Sequence, residues 1–199
     1  MKKTTLVLLV IIAGIAIYNF WPEKVLKHPP GVLIPEDPVQ ILVKNPVSWQ
    51  KDNYTITPLA EFKIKALVLS TNSFSIGRES DLSPIDLALG WGEMSNQSIL
   101  DGMEISQSNR WYNWKAKVLV IPANEISTHS ANMHIIPAND QIEDKLDELY
   151  KGCVIEINGF LVSVNAPDGW HWKSSLSRND TGGGACELVW VNELSIIDR

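Results

Sequence analysis

Cys186 follows the run Gly182-Gly183-Gly184-Ala185, and a thiol behind flexible glycine backbone is a possible nucleophile with N–H groups near a developing oxyanion. A general base for it would be His134 or His171, oriented by Asp180 or Asn132, which together would make a cysteine hydrolase. A second kind of chemistry sits in GWHWKSSLSR. In an extended segment Trp170 and Trp172 share one face, and Ser174, Ser175, Ser177 and Arg178 cluster beside the glycine run. Aromatic faces fringed by hydroxyls and an arginine suit a sugar, a peptide-like ligand or a carboxylate. Metal binding has little support. His129 and His134 are five apart, without a Cys-x-x-Cys or His-Glu-x-x-His pattern, so no metal and no cofactor is expected.

The compartment bears on the thiols. Lys2 and Lys3 precede an unbroken apolar run from Leu6 to Ile17, extended to Trp21, which reads as a signal anchor or a cleaved signal peptide. As an anchor it is a single-pass transmembrane helix in the inner membrane, with the C-terminal domain on the periplasmic side. In an oxidising compartment the two cysteines are most simply one disulfide, Cys153 to Cys186, which competes directly with a catalytic thiol.

Three regions follow: the anchor 1–21, a Pro-rich spacer 22–46 holding six of the eleven prolines, and a globular domain 47–199. Residues 22–199 carry 15 basic against 23 acidic side chains, a net charge of −8, which argues against a nucleic-acid partner. The partners expected are the membrane, through the N-terminal helix, and a small molecule or protein.

The elements that must position the candidate residues are mostly strands. Ala60–Ser70 and Arg110–Val120 alternate apolar and charged residues with period two, the second with Tyr112, Trp114, Ala116, Val118 and Val120 inward. Ser83-Pro84 reads as a helix start with Asp86 in the first turn, ended by Gly90 and Gly92, and Trp91 as a core plug. Asn139 caps a helix whose Ile142, Leu146, Leu149 and Tyr150 share a face. In Cys153–Val164 the apolar phase switches at Gly159, which predicts a bulge or bend, and Leu188–Ile197 closes the domain. The fold class is α+β and β-rich: a small, partly closed antiparallel β-barrel with a few short helices, preceded by the transmembrane helix.

The strand GCVIEINGFLV after a helix resembles an OB-type barrel strand. SPIDLALGWG, HIIPAN and SSLSRNDTGGGACE together resemble a family of uncharacterised bacterial membrane-anchored proteins, a resemblance that implies no activity and assigns no site. The reading that follows is a membrane-tethered extracytoplasmic binding or scaffolding domain. The alternative is the cysteine hydrolase.

Overall fold

The computed structural model describes residues 24–177 and 186–199; the anchor run, Arg178, Asp180 and the triple glycine lie outside them. The domain is β-rich with few helices. Its strands are β1 (Val39–Leu42), β2 (Trp49–Lys51), β3 (Tyr54–Ser73), β4 (Ile85–Gly90), β5 (Met103–Ser108), β6 (Trp111–Ala116), β7 (Ser130–Pro137), β8 (Val154–Asn165), β9 (His171–Lys173) and β10 (Glu187–Asp198). Its helices are α1 (Arg78–Leu82), α2 (Gln97–Leu100), α3 (Ala123–Thr128) and α4 (Asp140–Asp147).

Hydrogen bonding runs around a partial ring. The long β3 pairs with both β4 and β8, β4 with β7, β7 with β10, and β10 with β8. Every pair in the circuit is antiparallel except β7–β10, which is parallel. Inside lies the main core, which takes Phe62, Ile64, Leu87, Met133, Ile157 and Val189. A smaller apolar cluster on the opposite face holds Ile56, Leu82, Ile136, Val162, Val164 and Leu188, roofed in part by Trp49, Trp170 and Trp172. Burial on both faces explains why the phase at Gly159 only seems to switch. Ile155, Ile157 and Leu161 keep facing the main core, while Val162 and Val164 fill the outer cluster. The register shift beside Gly159 lies on β10, between Val191 and Glu193, with a second between Ile196 and Asp198, and Gly159 is needed because a Cβ there would stand 1.9 Å from the Trp190 carbonyl oxygen.

The helix expected after Ser83-Pro84 is instead β4, all six residues buried, with the one-turn α1 before it. A strand covered on both faces loses the polar alternation that would mark it, so local helix-start chemistry misleads. Trp91, 1% exposed, is a core plug. In the hairpin β5–β6, Tyr112, Trp114 and Ala116 are half-buried as expected, but Val118 and Val120 lie beyond the strand and are exposed. Asn139 does cap α4, its side chain accepting from the Ile142 N–H at 3.1 Å.

The Pro-rich segment is strapped to the domain. Leu26 N–H donates to the Lys151 carbonyl, His28 Nε2 lies 2.7 Å from the Gly152 carbonyl, and the N–H groups of Leu33 and Ile34 donate to Ser95 Oγ. Ile34 is wholly buried.

Candidate functional site

Register places the site before any side chain is considered. Opposite each other in the antiparallel β4–β7 pair stand Asp86 and His134, and Ala88 faces Asn132. Alternation along β7 sends Met133 and Ile135 into the main core and Ser130, Asn132 and His134 to the other face. Three peripheral elements close over that polar stripe: the tip of the β5–β6 hairpin, the β3–β4 connection carrying α1, and the segment through β9.

Asp86 is the meeting point. Its side chain is 1% exposed, and Oδ1 lies 2.8 Å from Arg110 Nη1. His134 Nδ1 lies 2.9 Å from the same oxygen, out of line for a well-formed hydrogen bond. Asn132 Nδ2 donates to Oδ2 at 3.4 Å, and Gln107 Nε2 donates to Asn132 Oδ1 at 2.7 Å. Arg110 also donates to the Ser83 carbonyl at 3.0 Å, and its guanidinium lies over Phe74 at 4.1 Å and Trp172 at 5.5 Å. A carboxylate this buried is tolerated because a guanidinium and an amide partner it.

An aromatic strip continues outward. His134 packs on Trp172 at 4.9 Å, Trp172 on Trp170 at 6.2 Å, and Trp170 on Tyr54 at 5.8 Å. Arg78 of α1 lies 4.9 Å over Trp170 and 5.8 Å over Tyr54. Its Nη2 is 2.8 Å from Asp168, whose carboxyl that hydrogen bond holds below the usual carboxylate range. Nearby, the Tyr112 hydroxyl donates to Ser130 Oγ, and burial pushes the phenol pKa up to about 12.

Trp170, Trp172 and His134 are thus brought together. His171 is not: it lies on the opposite, exposed face of β9. The Ser174 hydroxyl accepts from the Leu188 N–H at 3.0 Å and donates to the Ser175 carbonyl, and the Ser175 N–H donates to the Cys186 carbonyl. These serines join the chain before residue 176 to the start of β10. His129 belongs to a different cluster, beside Glu125 and Asp37, and among the described residues no metal-ligating group of three side chains gathers.

The Cys153–Cys186 disulfide is corrected by the fold. Cys153 precedes Val154, which pairs with Asp198 at the far end of β10, while Cys186 precedes Glu187 at its start. Some 12 residues of strand separate the two ends, roughly 40 Å at ~3.3 Å per residue, against the ~7 Å between Cα atoms that a bridge allows. The two cysteines do not form a disulfide; Cys153 is buried and Cys186 half-buried.

Asp86, Arg110, Gln107 and Arg78 were not among the expected site residues. The signal for Asp86 was a lone charge inside IDLALG, legible only if that stretch is read as a strand. For Asn132 and His134 it was the period-two polar stripe through SANMHII. Comparison with protein-family models, curated proteins and solved structures finds no match. No helix among the described residues is long and apolar enough to cross a membrane.

Proposed function

We propose that this chain is a membrane-tethered extracytoplasmic binding domain built on a partly closed OB-type barrel, and that its ligand is a basic, peptide-like segment of a partner. The strand circuit supports the barrel. A long first strand pairs with the second and the fourth, and the third lies parallel to the fifth, when β3, β4, β7, β8 and β10 are counted in order. OB-type barrels bind across the face of their second and third strands, flanked by the loops after the first and fourth. Here those parts are β4 and β7, the connection carrying α1, and the segment with Trp170 and Trp172. The Leu6–Ile17 run supports the tether.

One observation carries the choice of ligand: both rings at the heart of the strip already face a guanidinium, Trp170 that of Arg78 and Trp172 that of Arg110. Ring quadrupoles that hold cations from their own chain can hold cations from another. A net charge of −8 on residues 22–199 draws basic partners and repels acidic ones. Titrating the full-length chain with (Arg-Ala)4 and (Glu-Ala)4 peptides tests this by tryptophan fluorescence. Saturable binding of the basic peptide alone, weakened about two- to thirtyfold in Trp170→Ala, is expected, since an exposed cation–π contact contributes roughly 0.5–1 kcal/mol and desolvation raises that to ~2. Equal response to both peptides, or none, overturns it.

The second reading is the cysteine hydrolase, with Cys186 as nucleophile and His134 as base. It is favoured by the absence of a Cys153–Cys186 disulfide, by the Asp86 carboxylate beside His134 Nδ1, and by the pairing of Leu188 with His134, which sets Cys186 two residues from that histidine's partner. Loss of turnover of a thioester or ester probe in Cys186→Ala tests it; turnover kept in that variant ends it.

A further inference from the structure

The surroundings of Arg110 have the makeup of a recognition site. Its side chain is only 16% exposed, and its guanidinium is held by groups outside its own hairpin. Asp86 supplies a buried carboxylate at 2.8 Å, the Ser83 carbonyl accepts at 3.0 Å, and Ser80 Oγ lies at 3.5 Å. Phe74 and Trp172 provide two aromatic walls. A planar cation between aromatic faces, with a carboxylate at its edge, is the chemistry that selects guanidinium over ammonium, because only the planar fork stacks and donates in two directions at once. Of the groups facing it, His134 stands beside the same carboxylate oxygen and Asn132 beside the other.

The occupant is delivered under backbone strain. Asn109 and Arg110 form the two-residue tip of the β5–β6 hairpin with φ of 50° and 63°. Both angles fit a type I′ turn, where the second position favours glycine. An arginine there holds left-handed backbone that a residue with a side chain rarely adopts. The turn would form more easily without it. What the arginine adds is the plug.

We propose that Asp86, Phe74, Trp172 and the Ser83 carbonyl form a guanidinium-binding box that this chain fills in cis with Arg110, and that an arginine side chain of the basic partner takes the box when the hairpin tip lifts. This rests on the proposed basic ligand, but it makes its own claim about one cavity and one functional group. A tethered occupant competes at an effective concentration in the millimolar range, so the intact chain admits an outside guanidinium poorly.

The experiment empties the box without breaking the turn. In the full-length chain, Arg110→Gly removes the plug and supplies the residue the turn prefers. Ethylguanidinium chloride is then titrated against ethylammonium chloride at matched ionic strength, following tryptophan fluorescence and the thermal midpoint. The expected result for Arg110→Gly is a saturable, stabilising response to ethylguanidinium with a half-point in the millimolar range, absent with ethylammonium and at least about twofold weaker in the wild-type chain, where Arg110 competes at a comparable effective concentration. A non-saturating response, or the same response to both cations, overturns the box. Should Arg110→Gly not fold, Arg110→Lys keeps a tethered cation in place. Ethylguanidinium displaces that lysine if the box prefers a guanidinium, and a failure to do so overturns the proposal. Because the probe is a single small cation, a failed box with intact (Arg-Ala)4 binding leaves the wider reading standing, and the reverse result separates them equally well.

Discussion

Removing Asp86 should undo more of the fold than the loss of one short side chain would suggest. Asp86→Ala leaves the Arg110 side chain, 16% exposed, among Ser83, Phe74 and Trp172 with its charge uncompensated, and strips Asn132 of an acceptor and His134 of the carboxylate beside it. Breaking a buried pair from one side costs about 3–5 kcal/mol. Arg110 sits at a hairpin tip and its side chain can swing into solvent, so the lower end, about 3 kcal/mol, is expected. For a domain of this size that is a fall of roughly 6–12 °C in the midpoint of thermal unfolding. The assay is a double-mutant cycle with Arg110→Ala, read by denaturant unfolding and by hydrogen exchange at the hairpin amides. Arg110→Ala orphans a carboxylate that is 1% exposed and cannot swing out, so it should cost at least as much as Asp86→Ala. The double variant should cost clearly less than the sum, with about 1–3 kcal/mol of coupling. Additivity within ~0.5 kcal/mol would refute the idea that these two charges hold the hairpin to the sheet.

Three further outcomes are expected. Gly152 has φ of +97°, and a Cβ there would stand 1.9 Å from the Leu26 carbonyl oxygen, so Gly152→Ala should release the Pro-rich strap and expose it to limited proteolysis near Leu26; cleavage at the wild-type rate would contradict the docking. Tyr112 has its phenol pKa raised by burial to about 12, so the folded state favours the neutral form. Its contribution is complete below pH ~10, the value for an unfolded tyrosine, and is lost as pH rises to about 12; Tyr112→Phe should flatten the fall in stability across that window, and an unchanged fall would count against the burial. Without reductant, Cys186 should react with a maleimide in the folded chain and Cys153 only after unfolding; a native sample with no free thiol would restore the bridge that the strand geometry forbids.

The parts of the fold written in local pattern were legible in advance. Alternation marked β3, the Asn139 cap and its apolar stripe marked α4, and the spacing of Trp170 and Trp172 marked two rings on one face, which do pack together. What escaped depended on pairing between distant residues. Asp86 could not be recognised as a hub while IDLALG resembled a helix, because its meaning comes from standing opposite His134, 48 residues on. The same limit produced the disulfide. Two thiols in one short chain look like partners until β10 is seen to hold them at opposite ends. Arg110 followed the alternation of Arg110–Val120 well enough to pass as the first residue of a strand, and only its φ and its mostly buried side chain mark it out as a hairpin tip.

The most direct measurement is a spectrum of the indole N–H groups of the full-length chain, recorded as the (Arg-Ala)4 peptide is added. A basic ligand on the proposed surface shifts the indole signals of Trp170 and Trp172 together, in a saturable way, and leaves that of the core residue Trp91 in place. Shifts confined to Trp49 and Trp190, or spread weakly over all eight tryptophans without saturation, would contradict it.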